Sequence, residues 1–231
     1  MLILIKDKTM KKIITTLLVS CFLYTSNAMS FSLSDANLSV GISGSHAAFY
    51  AEGKETNRNE TGTVRTTTEE AGAFTDTYGS VFLEVGLNDI VSLGLDYVLA
   101  DIDTPTNTSR DGDASPHNTS ATFSDLTTLY AKINTTLWGT YIKLGYSQVD
   151  IKINENSSRT ISQPGDTSGY MLGLGFEKEA AEGVSIRAEV AATAFDDVSS
   201  NNGVAVTGNR NDYDVSDMLG ARGTISLVKS F

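Results

Sequence analysis

From Leu38 to Phe231 apolar residues recur at every second position, in segments of about ten residues separated by turns rich in Gly, Asn, Asp and Thr. A period of two predicts β-strands, because successive side chains of a strand point to opposite faces. Leu38, Val40 and Ile42 alternate with Ser39, Gly41 and Ser43 in the first segment; Val81, Leu83, Val85 and Leu87 form one face of the second. The third carries Val91, Leu93, Leu95, Tyr97 and Leu99, the fourth Leu129, Ala131, Ile133 and Leu137, and the fifth Ile142, Leu144 and Tyr146. Tyr170, Leu172, Leu174 and Phe176 mark the sixth, Val184, Ile186, Ala188, Val190 and Ala192 the seventh, and Leu219, Ala221, Gly223, Ile225, Leu227 and Phe231 the eighth. Past Ser147 the apolar parity slips to Val149, Ile151 and Ile153, which predicts a bulge or a change of environment near Gln148. Pro105, Pro116 and Pro164 all fall between segments, where a missing backbone donor harms no ladder.

The face opposite the apolar one decides the solvent. A water-soluble sheet would carry many charges there, whereas this chain carries mainly Gly, Ser and Thr with a few charges of both signs. Small residues suit the narrow inside of a closed barrel, so the apolar parity is expected to face lipid. Closure follows from the same solvent, since an unpaired sheet edge is costly in hydrocarbon. The fold class expected is therefore all-β: a closed antiparallel up-and-down transmembrane β-barrel of about eight strands. Connections after the second, fourth and sixth segments are short. Those after the first, third, fifth and seventh (51–73, 101–124, 154–168 and 196–214) read as four long extracellular loops, opposite short periplasmic turns. Trp138 and Phe231 are expected near the periplasmic interface.

The beginning of the chain has a different pattern. Lys11 and Lys12 precede an apolar stretch from Ile13 to Tyr24, and Ser26-Asn27-Ala28 offers a small-residue cleavage site. Residues 1–28 are read as a signal peptide, with Met10 a more natural start than Met1, and 29–231 as the barrel domain. Cys21 is the only cysteine, so no internal disulfide forms. Leu18-Val19-Ser20-Cys21 also resembles a lipoprotein box, although Phe22-Leu23-Tyr24 continues the apolar run beyond it. The net charge is −11; Lys6, Lys8, Lys11 and Lys12 against Asp7 give the leader +3, which leaves −14 for the rest. So acidic a product excludes a nucleic-acid binder.

The stretch Thr224-Ile225-Ser226-Leu227-Val228-Lys229-Ser230-Phe231 resembles the terminal strand of the small eight-stranded outer-membrane barrels typified by outer-membrane proteins A and X. The resemblance extends over about residues 36–231 and implies a bacterial outer-membrane location. It also implies that Phe231 belongs to the signal read by the barrel-assembly machinery. Lys229 departs from the pattern, because it shares parity with the lipid-facing residues. Outer-membrane lipid and lipopolysaccharide are the other expected partners.

Candidate chemistry falls into two groups. The inward parity holds Glu84, Asp96, Lys132, Lys143, Arg187, Glu189 and Arg222. Charges so nearly balanced in a narrow lumen point to a pairing network, which either plugs the barrel or acts as the gate of a small pore. The long loops hold a clear excess of acids, among them Asp101, Asp103, Asp111 and Asp113, which could attract divalent cations or a basic partner. The calcium-loop pattern with its distal glutamate is absent, so no metal site or cofactor is expected. No enzyme activity is expected either. Only His46 and His117 could act as a histidine base; His117 sits in a Ser/Pro/Asn-rich segment and His46 shares parity with Tyr50.

Overall fold

The computed structural model describes residues 37–59, 61–109, 117–155, 162–202 and 210–231, with side chains also left undescribed at 109, 117 and 155. The leader, Cys21, Asp111 and Asp113 lie outside these residues. Among the described residues there are eleven strands: β1 (Asn37–Arg58), β2 (Val64–Gly86), β3 (Val91–Val98), β4 (Ile102–Asp103), β5 (Asn107–Ser109), β6 (His117–Asn134), β7 (Thr140–Glu155), β8 (Gly165–Ala181), β9 (Val184–Phe195), β10 (Val198–Asn201) and β11 (Arg210–Ser230). Eight of them form the wall in the order β1-β2-β3-β6-β7-β8-β9-β11, and β11 returns to pair with β1. That closing ladder is antiparallel and runs from Ser39↔Ser230 to Arg58↔Arg210. The ring therefore has no open edge where strands meet lipid. No helix among the described residues is long and apolar enough to cross a membrane.

The eight alternating segments are the eight wall strands, and their apolar parity faces out. Ile42, Leu83, Leu144, Leu172, Val190 and Ile225 are all exposed, a surface that only hydrocarbon would tolerate. Tyr50, Tyr97, Tyr146 and Tyr170 are also exposed, toward the end of the barrel away from the short turns. The short turns have local causes. Between β6 and β7 the chain turns at Leu137–Thr140, closed by Thr140 N donating to Leu137 O at 2.9 Å, and its central residues Trp138 and Gly139 both take positive φ (48° and 78°), as a turn of that hand requires. The Asn88 carboxamide accepts the amides of Ile90 and Val91 at 2.9 and 2.8 Å, closing the β2–β3 turn.

Three expectations need correction. Most of the long "loops" are strand: β1 continues to Arg58, β2 starts at Val64, β6 at His117 and β11 at Arg210. Polarity marked these stretches as loops, yet threonine, which recurs at the start of β2 and β6, favours strand, and a two-sided sheet standing in water needs no apolar face. The connection after the sixth segment, which polarity places at Glu177 to Gly183, is shorter still: Glu177–Ala181 belongs to β8, and Glu182 and Gly183 connect it to β9. Near Gln148 the ladder between β7 and β8 is continuous. The irregularity lies instead on β6, where Asp125, with φ 55°, and Leu126 stand opposite Val149. The change of environment is real: Val149 and Ile151 keep the inward parity of Tyr141 and Lys143 but enter an apolar part of the lumen.

Candidate functional site: the filled lumen

The barrel interior has two layers. Toward the short turns lies a set of charged side chains delivered by the inward parity of six strands, together with Arg222 on β11. Arg187 on β9, 2% exposed, donates through Nη1 and Nη2 to both oxygens of Glu84 on β2, at 3.0 and 3.3 Å. Its Nε and Nη2 also reach Glu177 Oε2 on β8, at 3.2 and 2.9 Å. Lys132 on β6 bridges the same two carboxylates, 2.7 Å from Glu84 and 2.9 Å from Glu177. A planar guanidinium held by two carboxylates is the strongest pairing geometry open to these side chains. Next to this group Lys143 on β7 meets Glu189 on β9 at 2.5 Å, and Arg222 lies 3.9 Å from the other oxygen of Glu189. Asp96 on β3 is buried and accepts from Ser80 at 3.2 Å.

Two tyrosines tie the carboxylates into the wall, Tyr130 donating to Glu84 at 3.1 Å and Tyr141 to Glu189 at 2.9 Å. Their rings occupy space left by glycines on neighbouring strands, Tyr130 over Gly94 and Tyr141 over Gly175, while Phe82 lies over Gly41. The rings also face cations: the Lys143 ammonium sits 4.4 Å from the Tyr130 centroid and Arg187 5.1 Å from Phe82. Along the β1–β11 closure from Ser39 to Ser45 the inward face carries hydroxyls, with Ser39–Ser230, Ser43–Ser226 and Ser45–Thr224 paired at 2.8, 2.9 and 2.8 Å.

Above this layer the lumen turns apolar. Ala47, Tyr78, Val98, Ile102, Leu126, Val149, Ile151, Val198 and Met218 are buried together. Phe49, Phe74 and Phe123 pack against them, with Phe74 stacked on Phe49 and on Phe123 at centroid spacings of 5.0 and 6.3 Å. Between the layers a cavity of about 20 Å³ is lined by Phe49, Tyr78, Thr128, Ser147 and Arg222, room for a single water.

All seven inward charges named from sequence are thus inside the lumen, and they form one neighbourhood. The residue that sequence reasoning missed is Glu177, which shares odd parity with Met171, Gly173 and Gly175 and so was legible from the alternation alone. Counting it makes four acids against four bases among these lumen charges. Among the described residues the loop acids Asp101 and Asp103 form no common site. Asp103 accepts from Thr122 at 2.6 Å and Asp101 is exposed, while among the described residues no three His, Cys, Asp or Glu side chains are placed to hold a metal ion. His46 points outward with Nδ1 2.9 Å from Thr77 Oγ1. Phe231 is exposed and its amide donates to Leu38 O, so it sits on the closure of the ring at the short-turn end. Lys229 Nζ reaches Glu182 O at 3.3 Å.

A closed ring of eight antiparallel strands, apolar outside and filled with paired charges inside, defines an integral barrel of the bacterial outer membrane. The sequence model of the outer membrane protein beta-barrel domain matches residues 14–221, and the chain belongs to that family. No curated protein matches it significantly. Among solved structures it is similar to the outer membrane protein OprG from Pseudomonas aeruginosa, at 13% identity over 84% of this chain and 95% of that one, with a TM-score of 0.56. Neisserial surface protein A is matched at 8% identity over 80% and 97% of the two chains, with a TM-score of 0.39. The outer membrane protease OmpT from Escherichia coli is matched at 9% identity over 84% and 97%, with a TM-score of 0.41. At these identities the likeness to OprG speaks for the fold, and the other two carry no argument about activity.

Proposed function

We propose that this barrel is non-enzymatic and acts through its wall and its acidic outer hairpins, contributing envelope integrity or surface interaction, and does not pass solute through its lumen. One observation carries the reading: the lumen is occupied by two successive layers, a paired ionic one and an apolar one. Eight strands leave little room beyond their own side chains, and here that room is taken. An ion entering from the periplasmic side would have to separate Arg187 from two carboxylates and then enter an apolar section. Outer-membrane lipid and lipopolysaccharide are the partners of the wall in this reading, and the barrel-assembly machinery reads Phe231 during insertion.

The test is single-channel recording of the refolded barrel in planar bilayers. Folded protein that inserts without conducting supports the reading. Reproducible openings, altered by Glu84→Ala or Arg187→Ala, would instead establish a small pore gated by the ionic layer.

A further inference from the structure

At the short-turn end of the wall the lipid-facing parity of the strands carries no charge except at two exposed positions, Lys178 on β8 and Lys229 on β11. These strands flank β9. In the register Lys178 stands opposite Ile186 and Ile186 opposite Leu227, two residues from Lys229. Two strand spacings across and two residues along put the lysine Cα atoms roughly 12 Å apart. Trp138, Phe176 and Phe231 are exposed at the same end, an aromatic girdle that sets the lysines at the headgroup level. A lysine is tolerated on the lipid face there because its ammonium reaches the headgroups, whereas nearer the midplane it would be strongly destabilising.

Neither ammonium is neutralised by the protein. Lys178 makes no ion pair among the described residues. Lys229 Nζ has only the Glu182 carbonyl at 3.3 Å and the Phe231 ring at 5.9 Å, and it lies over Gly183, where a Cβ would come within 2.8 Å of it. Of the two acids nearby, Glu179 accepts the Gly183 amide at 3.1 Å and Glu182 sits in the turn beyond the strand ends. Toward the membrane midplane Phe176 and Ile225 stand on either side of Ala188 in the ladder, so two large exposed side chains flank a small one and leave a shallow seat for an acyl chain. We propose that Lys178 and Lys229 bind a doubly anionic phospholipid of the periplasm-facing leaflet, one ammonium to each of its two phosphates, with an acyl chain over Ala188. The site lies at the end of the barrel opposite the acidic hairpins, which argues against lipopolysaccharide of the outer leaflet as its occupant. The inference rests on the reading of the wall above and gives the wall a lipid and an address.

Trp138 is the only tryptophan and adjoins the site, because Gly139 O accepts the amide of Glu177, the neighbour of Lys178. Its fluorescence, measured on the full barrel in phosphatidylcholine nanodiscs, reports contact with a minor lipid brominated on its acyl chains. The probes are brominated diphosphatidylglycerol, with two phosphates, brominated phosphatidylglycerol, with one, and brominated phosphatidylcholine, at equal bromine content. Diphosphatidylglycerol is expected to half-quench Trp138 at a mole fraction roughly fivefold or more below that of phosphatidylcholine. The preference should fall with added salt, vanish in the Lys178→Gln/Lys229→Gln barrel and persist in Lys178→Arg/Lys229→Arg, with folding checked by heat-modifiable gel mobility. Lys178→Gln alone, at an exposed side chain, should already weaken it about twofold. Equal quenching by charged and neutral probes overturns the inference, as does a preference that survives either glutamine variant unchanged. Phosphatidylglycerol matching diphosphatidylglycerol at equal phosphate content overturns the pairing of both ammoniums with one lipid. Loss of the preference would leave the sealed lumen untouched, and channel openings would count against the wall reading whichever lipid is bound.

Discussion

At the scale of single residues, the lumen depends on charges that cannot be removed one at a time. Arg187 satisfies Glu84 and Glu177 together, so truncating it leaves two carboxylates to share the single ammonium of Lys132 in the lumen. Arg187→Met is expected to destabilise the folded barrel by about 3–5 kcal/mol, read from urea unfolding in micelles. Glu177→Gln should cost less, because Glu177 is part-exposed and Glu84 still holds both cations. Far from the lumen, Arg58 donates to Asp212 at 2.7 Å and Arg210 at 2.6 Å, and the Arg58 hydrogen bond holds the Asp212 carboxyl below its usual range. A depressed carboxylate favours the folded state fully above its unfolded pKa and loses that contribution as pH falls through the folded value. The β1–β11 extension should therefore loosen only below about pH 4. Amide exchange at Asn57 and Asn211 measured against pH, with Asp212→Asn as reference, checks this; loosening near neutral pH would contradict it.

At the scale of elements, aromatic rings and glycines on adjacent strands set the lateral fit of the wall. A Cβ at Gly175 would run into the Tyr141 ring, and one at Gly94 into Tyr130. Gly175→Ala is expected to lower stability by about 1–3 kcal/mol, with part recovered when Tyr141→Leu removes the ring, a coupling that a double-mutant cycle measures. Additive effects would show that the ring and the glycine do not depend on each other. The alternation made the wall strands legible, along with their faces and the short turns. It did not reveal that β1, β2, β6 and β11 continue past the membrane, because a strand with water on both sides has no apolar parity to betray it. The Asp125 irregularity was legible only through its effect on β7. Residues 149–153 looked out of register when in fact the lumen around them had changed.

On the scale of the whole molecule, closure and filling belong together. The ring closes through the β1–β11 backbone ladder, lined inside by hydroxyl pairs, and Phe231 sits beside Leu38 at the end of that seam. If Phe231 serves assembly more than stability, Phe231→Ala should cut the amount of barrel inserted in cells several-fold yet leave refolding into detergent and the unfolding midpoint nearly unchanged. Equal losses in both would assign the residue to stability alone. In the proposed reading, the apolar layer over the ionic one leaves the surface and the wall as the parts that act.

The sequence by itself determined the eight-strand count, the apolar exterior, the acidic outside and the inward address of the charges. All of these follow from period-two alternation read against two solvents. Only the tertiary structure decided which charges meet, because partners such as Glu84 and Arg187 come from strands that are not neighbours in the ring and depend on how eight tilted strands stagger around a common axis. It also decided that Glu177 completes a neutral set and that the outer half of the lumen is filled by aromatic and aliphatic side chains. Pairing across a lumen and the filling of its outer half are properties of three-dimensional proximity, and no local pattern encodes them.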